Sequence, residues 1–355
     1  MGTAPAVRQR AACGIPAVAG FALIETRRFR GRRFSCALSD VTASSTRRRD
    51  PMRRQPDHVA EAAVPVEESG RSDARIWFIT GASSGLGRAL AETVLARGDR
   101  AVLAARGVDR LRDLVSAFPV RALAVAMDVT DRAQRAAAVD QALAHFGRID
   151  VLVNNAGIDF LGAIEEQRED DYRAQFEVNF FGPVEMIRLV LPGMRARGKG
   201  TIVNMSSMDG LSSLPANGYY SSSKFALEGL TEALWQELEP LGLRAFLVEP
   251  GSFRTGIEQR TKFSGESIAV YAATSGAFRD LMGTLTPDMF PGDPARAAEA
   301  IYEVVASHPG RHWVVLGSDA QRRIQAKLAL LQAEVDAGEA MALSTDYPGS
   351  ARAVL

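Results

Sequence analysis

Tyr220 and Lys224 stand at i and i+4, a spacing that puts two side chains on one face of a helix. A free phenol titrates near pH ~10 and is a poor proton donor or acceptor at neutral pH. An ammonium beside it, together with an oxidised nicotinamide, would stabilise the phenolate and lower its pKa. Tyr219 is adjacent but has no lysine at that spacing. The pair alone is only suggestive, since a surface tyrosine beside a solvated lysine has the same pattern. Upstream, Ser207 follows Asn204-Met205-Ser206 at the end of an apolar run. Its hydroxyl could bond a substrate oxygen, or serve as an ordinary helix-cap or turn serine. Together the three residues could move a proton at a carbonyl or alcohol oxygen.

A second pattern concerns phosphate. The run at 76–80 leads into Gly81, Ala82, Ser83, Ser84, Gly85, Leu86 and Gly87, and a helical pattern follows at once. The free N–H groups of such a helix start face a pyrophosphate, and the glycines let the backbone turn and approach it. The spacing is GxxxGxG rather than GxGxxG. A nicotinamide fold that selects NAD usually ends its second strand in an acid. Here that strand ends in Leu103-Ala104-Ala105-Arg106. A guanidinium suits a 2′-phosphate, so NADP(H) is expected over NAD(H).

Positioning these groups requires short strands between helices. Apolar runs at 76–80, 101–104, 122–127, 149–153, 201–205 and 243–248 alternate with helical patterns at 88–97, 108–117, 131–146, 170–196 and 219–239. Runs apolar on both faces indicate a buried parallel sheet. The expected fold class is therefore α/β, a doubly wound parallel sheet or Rossmann fold. A further helix at 292–306, a strand at 313–316 and a helix at 318–338, with Ser318-Asp319 offering its N-cap, complete the pattern.

The chain resembles the short-chain dehydrogenase/reductase family. The matching residues are TGASSGLG at 80–87, DV at 128–129, NNAG at 154–157, Asn179 in EVNFFGP, the serine of NMSS at 207, YSSSK at 220–224 and PGSFRT at 250–255. The EVNFFGP and EPGSFRT variants are similar to the branch of steroid and retinol dehydrogenases. The resemblance implies an NADP(H)-dependent carbonyl reductase or alcohol dehydrogenase. Tyr220 would be the acid or base. Lys224 would bind the nicotinamide ribose and depress the Tyr220 pKa. Ser207 would polarise the carbonyl, and Asn179 would anchor a water in a relay through Lys224. Asp128 and Val129 would contact adenine, while Asn154, Asn155, Ala156 and Gly157 would line the cofactor. Phe253 and Thr255, after Pro250 and Gly251, would approach the carboxamide. Family members with arginine at the position of Arg106 generally prefer NADP. Residues 256–290 correspond to the variable substrate lid. Its apolar content suggests a lipophilic pocket or a pair of amphipathic helices packed on the body, with Phe160, Leu161, Leu211 and Leu214 as further candidate wall residues. The family commonly forms homodimers or homotetramers through helices that here would be 170–196 and 219–239. The alternative is a non-catalytic NADP(H)-sensing protein on the same fold.

The 355 residues carry 42 basic and 42 acidic groups. That balance argues against a generic nucleic-acid binder, and no apolar run reaches the ~18 residues of a membrane span. The zero is a sum of unlike parts: residues 1–54 hold 12 Arg and three acids, a net +9 against −9 for the rest. This segment reads as a disordered or misassigned start, with Met52 as an alternative, as an organelle-targeting leader, or as a basic arm. Both cysteines, Cys13 and Cys36, lie in it, and the four histidines are scattered. No disulfide framework, cysteine nucleophile or metal site is expected in the body. The expected division is 1–73 as N-terminal extension, 74–340 as one enzyme domain and 341–355 as tail, in a cytoplasmic protein acting on a small carbonyl or alcohol. If the basic segment is dispensable for chemistry, deleting residues 1–54 is expected to leave turnover within about twofold of the full chain. Loss of turnover with the deletion would instead tie the arm to function.

Overall fold

The computed structural model describes residues 74–256, 260–308 and 310–350; the expectations for the basic segment lie outside them. In chain order the elements are β1 (Ile76–Thr80), α1 (Gly85–Ala96), β2 (Arg100–Ala105), α2 (Arg112–Ala117), β3 (Ala122–Ala126), α3 (Arg132–Phe146) and β4 (Val151–Asn154). Then come β5 (Phe160–Leu161), α4 (Glu169–Phe176), α5 (Gly182–Arg197), β6 (Gly200–Met205), α6 (Gly218–Leu238) and β7 (Leu243–Pro250). The last are β8 (Lys262–Phe263), α7 (Ala277–Thr284), α8 (Pro294–Ser307), β9 (Trp313–Leu316) and α9 (Ser318–Leu343).

Seven strands pair in parallel in the order β3-β2-β1-β4-β6-β7-β9. The chain winds outward from β1 through β2 to β3, then crosses back to place β4 on the other side of β1. That reversal opens a crevice beyond the carboxyl ends of β1 and β4, where doubly wound folds bind ligands. Every residue of β1 is buried, because helices cover both faces. On one face Trp77 and Ile79 pack with Leu90, Val94 and Leu95 of α1 and Ile301 of α8. On the other, Phe78 and Leu152 pack with Ala138 of α3, Met186 of α5 and Leu234 of α6. Each fully buried side chain of this size contributes about 1.5–3 kcal/mol. The expected fold class is the observed one.

Four local features differ from expectation. The stretch 170–196 is one helical run with a π segment at Glu177–Phe181 between α4 and α5. The C-terminal helix runs on to Leu343, and Gly317, not Ser318 or Asp319, precedes its first turn. Asp319 instead accepts from the Ser252 N–H at 2.7 Å. The lid holds one helical run, in which a π segment at Ala272–Gly276 leads into α7, rather than a helix pair, and no residue of α7 is buried. It joins the body through a short parallel pairing, Phe160 with Lys262 and Leu161 with Phe263. No helix among the described residues is long and apolar enough to cross a membrane.

Glu228 on α6 and Glu249 on β7 are buried beside each other, near the Ser206 hydroxyl and the Trp313 indole. Burial pushes Glu228 up to about 7 and Glu249 up to about 8, the latter also through the charge of Glu228. Carboxyl groups raised in the fold stabilise it below their unfolded pKa, and that stability is lost as pH rises through the folded values. The melting temperature is therefore expected to fall as pH rises from about 4.5 to about 8 and to level off above that. Glu249→Gln should flatten that fall, and an unchanged slope in the variant would count against the pair as its source.

Candidate active site

The crevice is assembled by hydrogen bonds between the ends of β1 and β4. The Thr80 hydroxyl accepts from the N–H groups of Asn155 and Ala156, at 2.9 and 3.0 Å. The Asn155 amide donates to the Thr80 and Gly81 carbonyls, at 2.9 and 3.2 Å. Gly81 takes φ +66°, a left-handed conformation that other residues adopt at a cost. A Cβ on Gly87 would collide with the Asn155 amide and the Gly81 carbonyl, so the loop closes on α1 only with glycine there. Ser84 precedes the first turn of α1 in an extended conformation, and its side chain caps nothing on that helix. Its hydroxyl instead accepts from the Arg260 guanidinium at 2.6 Å, while Arg260 also donates to the Thr255 carbonyl at 3.0 Å. A lid arginine thus lies at the phosphate loop, an approach without local sequence signal.

The reacting residues meet on α6 and past β6. Lys224 is buried and donates to the Met205 carbonyl at 2.8 Å. Its ammonium lies 5.7 Å from the centre of the Tyr220 ring. Ser207 exchanges hydrogen bonds with Asp209: the Asp209 N–H donates to its oxygen at 3.1 Å, and the hydroxyl faces an Asp209 oxygen at 3.3 Å. The same hydroxyl interacts with the Tyr220 phenol. Ser207 also caps the one-turn helix Met208–Gly210, so both roles read from the sequence fall on it. Asn179 sits in the π segment, fully buried. Its amide donates to the Ile158 carbonyl at 2.9 Å and the Ser223 hydroxyl at 3.1 Å, and its oxygen accepts from the Ile158 N–H at 2.9 Å. Asn179 and Lys224 converge on Gly157, where an added Cβ would lie 3.4 Å from the Asn179 oxygen and 3.9 Å from the Lys224 nitrogen.

The electrostatics differ from expectation at Tyr220. Its pKa is raised, by burial first and then by the charges of Asp159 and Asp209, against the lowering effect of the Ser207 hydrogen bond. Burial pushes Lys224 down to about 8, with Glu228, Asp159 and Asp209 holding it up. The lowering expected from Lys224 is not among the influences on the phenol. The lysine nitrogen is engaged by the Met205 carbonyl, and burial is the largest influence on the phenol. The phenol is thereby held protonated.

Asp159 and Asp209 escaped the sequence reading because neither belongs to a spacing pattern. Burial pushes Asp159 up to about 7, with Asp209 adding to the rise and Lys224 opposing it. Asp209 is also raised by burial, against the pull of Arg323. Arg323, on α9, pairs with Asp209 at 2.5 Å and also donates to the Ser212 carbonyl. The C-terminal helix therefore holds the loop that carries Ser207.

The remaining expected residues divide. Arg106 is exposed just past β2. Asp128 turns its carboxylate onto Thr130, at 2.9 Å to the N–H and 2.8 Å to the hydroxyl, and Val129 is buried. The Asn154 side chain does not line the crevice. It is buried and donates to Asn204 across β4 and β6 at 2.8 Å, because its register partner on β6 is that asparagine. Pro250 ends β7, and the Gly251 N–H donates to Leu316 at 2.8 Å. Phe253 is buried against Gly292, bridged to it by backbone pairing. Thr255 lies by Gly85, 3.3 Å from where a Cβ on that glycine would sit. Leu161 is buried and Phe160 half-buried, while Leu211 and Leu214 are partly exposed on the Ser207 loop. In the lid, a cavity of about 230 Å³ is lined by Phe263, Met282 and Leu285 among others. Among the described residues no group of three or more His, Cys, Asp or Glu could hold a metal ion.

A profile of the short chain dehydrogenase family matches residues 75–264. An oxidoreductase of Botryotinia fuckeliana is 36% identical over 253 residues, spanning 69% of this chain and 90% of that protein. A 3-ketodihydrosphingosine reductase of Bacteroides thetaiotaomicron is 40% identical over 194 residues, spanning 54% of this chain and 68% of that protein. The crystal structure of a short-chain dehydrogenase from Streptomyces avermitilis superposes with TM-score 0.72 at 41% identity, covering 78% of this chain and 99% of that one. A Burkholderia cenocepacia short chain dehydrogenase in complex with NADP superposes at 0.59 with 27% identity, covering 74% of this chain and 96% of that one. A Burkholderia phymatum relative in complex with NAD superposes at 0.64 with 26% identity, covering 79% and 99%.

If the Lys224 ammonium is needed at Gly157 and Tyr220, kcat/KM for carbonyl reduction is expected to decline as pH rises through about 8. The charged form prevails below that value and is lost above it. A flat rate–pH profile well into the alkaline range would show that the charge of Lys224 is not required.

Proposed function

The chain belongs to the short-chain dehydrogenase family, and we propose that it is an NADP(H)-dependent oxidoreductase that reduces a lipophilic ketone or aldehyde to the alcohol. The observation that carries this reading is the convergence of Ser207, Tyr220 and Lys224 beside a glycine loop built for a phosphate. That convergence also distinguishes it from the reading as a nucleotide sensor without turnover.

The residues at the crevice fit a nicotinamide nucleotide. The N–H groups from Ser83 to Gly87 would receive the pyrophosphate, with Arg260 already at Ser84. Arg106 would pair with a 2′-phosphate, and Asp128 and Val129 would border the adenine. Asn155, Ala156 and Gly157 would flank the nucleotide along the end of β4, and Lys224 would bond its ribose hydroxyls. When bound, the reduced nucleotide supplies hydride to the carbonyl carbon.

The chain's own groups then act on the oxygen. Ser207 donates to the carbonyl and fixes its angle. Tyr220 releases its proton to that oxygen as the C–O bond becomes single. The phenol starts protonated, as this direction requires. Lys224 and Asn179 stand behind Gly157 as the path by which a proton returns to the phenol. The lid cavity has mixed walls, with Phe263, Met282 and Leu285 beside Thr261 and Thr286, and its apolar part would suit a lipophilic substrate. The name of the Bacteroides relative, which specifies a keto compound, is consistent with the reductive direction. A homodimer or homotetramer is proposed through the helical run at 170–196 and α6, where Phe181 and Phe225 are 46% and 43% exposed.

Tyr220→Phe is expected to lower kcat for ketone reduction by about 10²- to 10⁴-fold, the usual contribution of a positioned acid. NADPH affinity, followed by fluorescence, should stay within about threefold. Retained turnover in the variant would refute the assignment of Tyr220.

A further inference from the structure

The C-terminal helix α9 is docked only at its start. Ala320 and Ile324 are buried, and Arg323 pairs with Asp209 at 2.5 Å. From Gln325 to Leu343 no residue is buried among the described residues. At ~1.5 Å per residue, about 28 Å of helix stands in water. Leu328, Leu331 and Val335 are 56%, 46% and 68% exposed there. They follow Ile324 at i+4, i+7 and i+11, the a and d positions of a heptad. Gly338 and Ala342 continue the stripe. Protein helices draw most of their stability from a packed apolar face, and the described residues leave this one unpacked.

Charge along α9 is split. Arg322, Arg323 and Lys327 precede Leu328, whereas Glu334, Asp336 and Glu339 follow it. Lys327 and Glu334 border the stripe at successive g positions, about 10 Å apart along the axis. Neither has an opposite charge three or four residues away. Neither has an ion-pair partner among the described residues. A second α9 laid antiparallel, with Leu331 at the two-fold axis, answers the stripe and the charges together. Leu328 then faces the partner's Val335, and Ile324 faces the partner's Gly338, where the missing side chain leaves room beside the docked turn. Lys327 meets the partner's Glu334, and symmetry repeats that contact on the other side. A parallel pair in the same heptad would instead set Glu334 against the partner's Glu339, a like-charge contact. The acidic second half of the helix also disfavours an anionic lipid surface.

We propose that α9 is a self-association surface on which a second copy of this chain docks its own α9 antiparallel. The surface uses other residues than the helical run at 170–196 and α6, and the inference does not rest on the reductase reading. Each helix covers the other's stripe through one two-fold operation, so the contact closes on itself. Arg323 connects the paired helices to Asp209, on the loop that carries Ser207.

Analytical ultracentrifugation of the full-length chain tests this, in wild type, Leu331→Glu, Lys327→Glu, Glu334→Lys and the double charge exchange. Leu331→Glu sets two carboxylates together at the two-fold axis. It is expected to halve the wild-type mass at micromolar concentration, whatever other interface persists. Each single charge change should raise the dissociation constant about tenfold, because it opposes like charges at both symmetric contacts. The double exchange should return it to within about threefold of wild type. The charge series decides the question even if Leu331→Glu loses helix. A mass that all four variants leave unchanged overturns the proposal. Tighter association of Glu334→Lys overturns it in favour of a parallel pair. A monomer whose α9 amides lose protection from hydrogen exchange when residues 1–54 are deleted overturns it in favour of a cover from the same chain. Binding of α9 to phosphatidylcholine vesicles in place of self-association overturns it in favour of a lipid surface.

Discussion

The site depends on the junction of β1 with β4, tied by Thr80 and Asn155. Four hydrogen bonds connect their side chains to backbone at the point where the strand order reverses. Each contributes about 1 kcal/mol net, but leaving one buried partner unpaired would cost more. Their larger effect is geometric. They set the Gly81 turn and hence where α1 begins, and they fix the start of the Ala156–Asp159 segment. Asn179 then holds Ile158, so two asparagines from different elements define the whole floor of the crevice. With the phosphate loop, Gly157 and Asp159 all on this floor, a small shift at Thr80 would misalign nucleotide and substrate together.

A buried site of this kind resolves its charges by burial before pair distance. Lys224 is driven down and Tyr220 up because both lose water, and neighbouring charges only adjust the outcome. Helical spacing alone suggests that the ammonium lowers the phenol pKa, since side chains at i and i+4 are neighbours. Spacing cannot include Met205, whose carbonyl engages the ammonium from another element. Nor can it include Asp159 and Asp209, which reach the phenol across the fold. The raised pKa of Tyr220 reflects burial and those two distant carboxyl groups.

The fold was legible because buried parallel strands leave continuous apolar runs, and all six runs read from Ile76 to Val248 became strands of the main sheet. The phosphate loop, Ser207 and the Tyr220–Lys224 pair were legible for a related reason: each depends on local backbone geometry that a short spacing encodes. What escaped the reading is nonlocal. Arg260 meets Ser84 across 176 positions, and Arg323 meets Asp209 across 114. The strands β5 and β8 are two residues each, too short for alternation to register. Asn154 was assigned to the crevice by its motif, but strand alternation turns its side chain into the sheet against Asn204.

The segment that carries α7 and the C-terminal helix are each tied to the body by polar contacts. Arg279 of α7 pairs at 3.1 Å with Glu166, whose carboxylate also accepts from the Ala163 and Ile268 N–H groups. Ser264 accepts from the Arg168 N–H and donates to Asp171. These contacts fix the rim of the lid while Phe263, Leu281 and Met289 stay exposed. A lid held by its apolar face would have to break that packing to admit a lipophilic chain. A lid held by its polar rim keeps its apolar groups available, so a substrate can gain burial without first displacing the protein's own core. The same division runs through the site as a whole: hydrogen bonds and ion pairs set positions, and part of the apolar surface of the lid stays exposed.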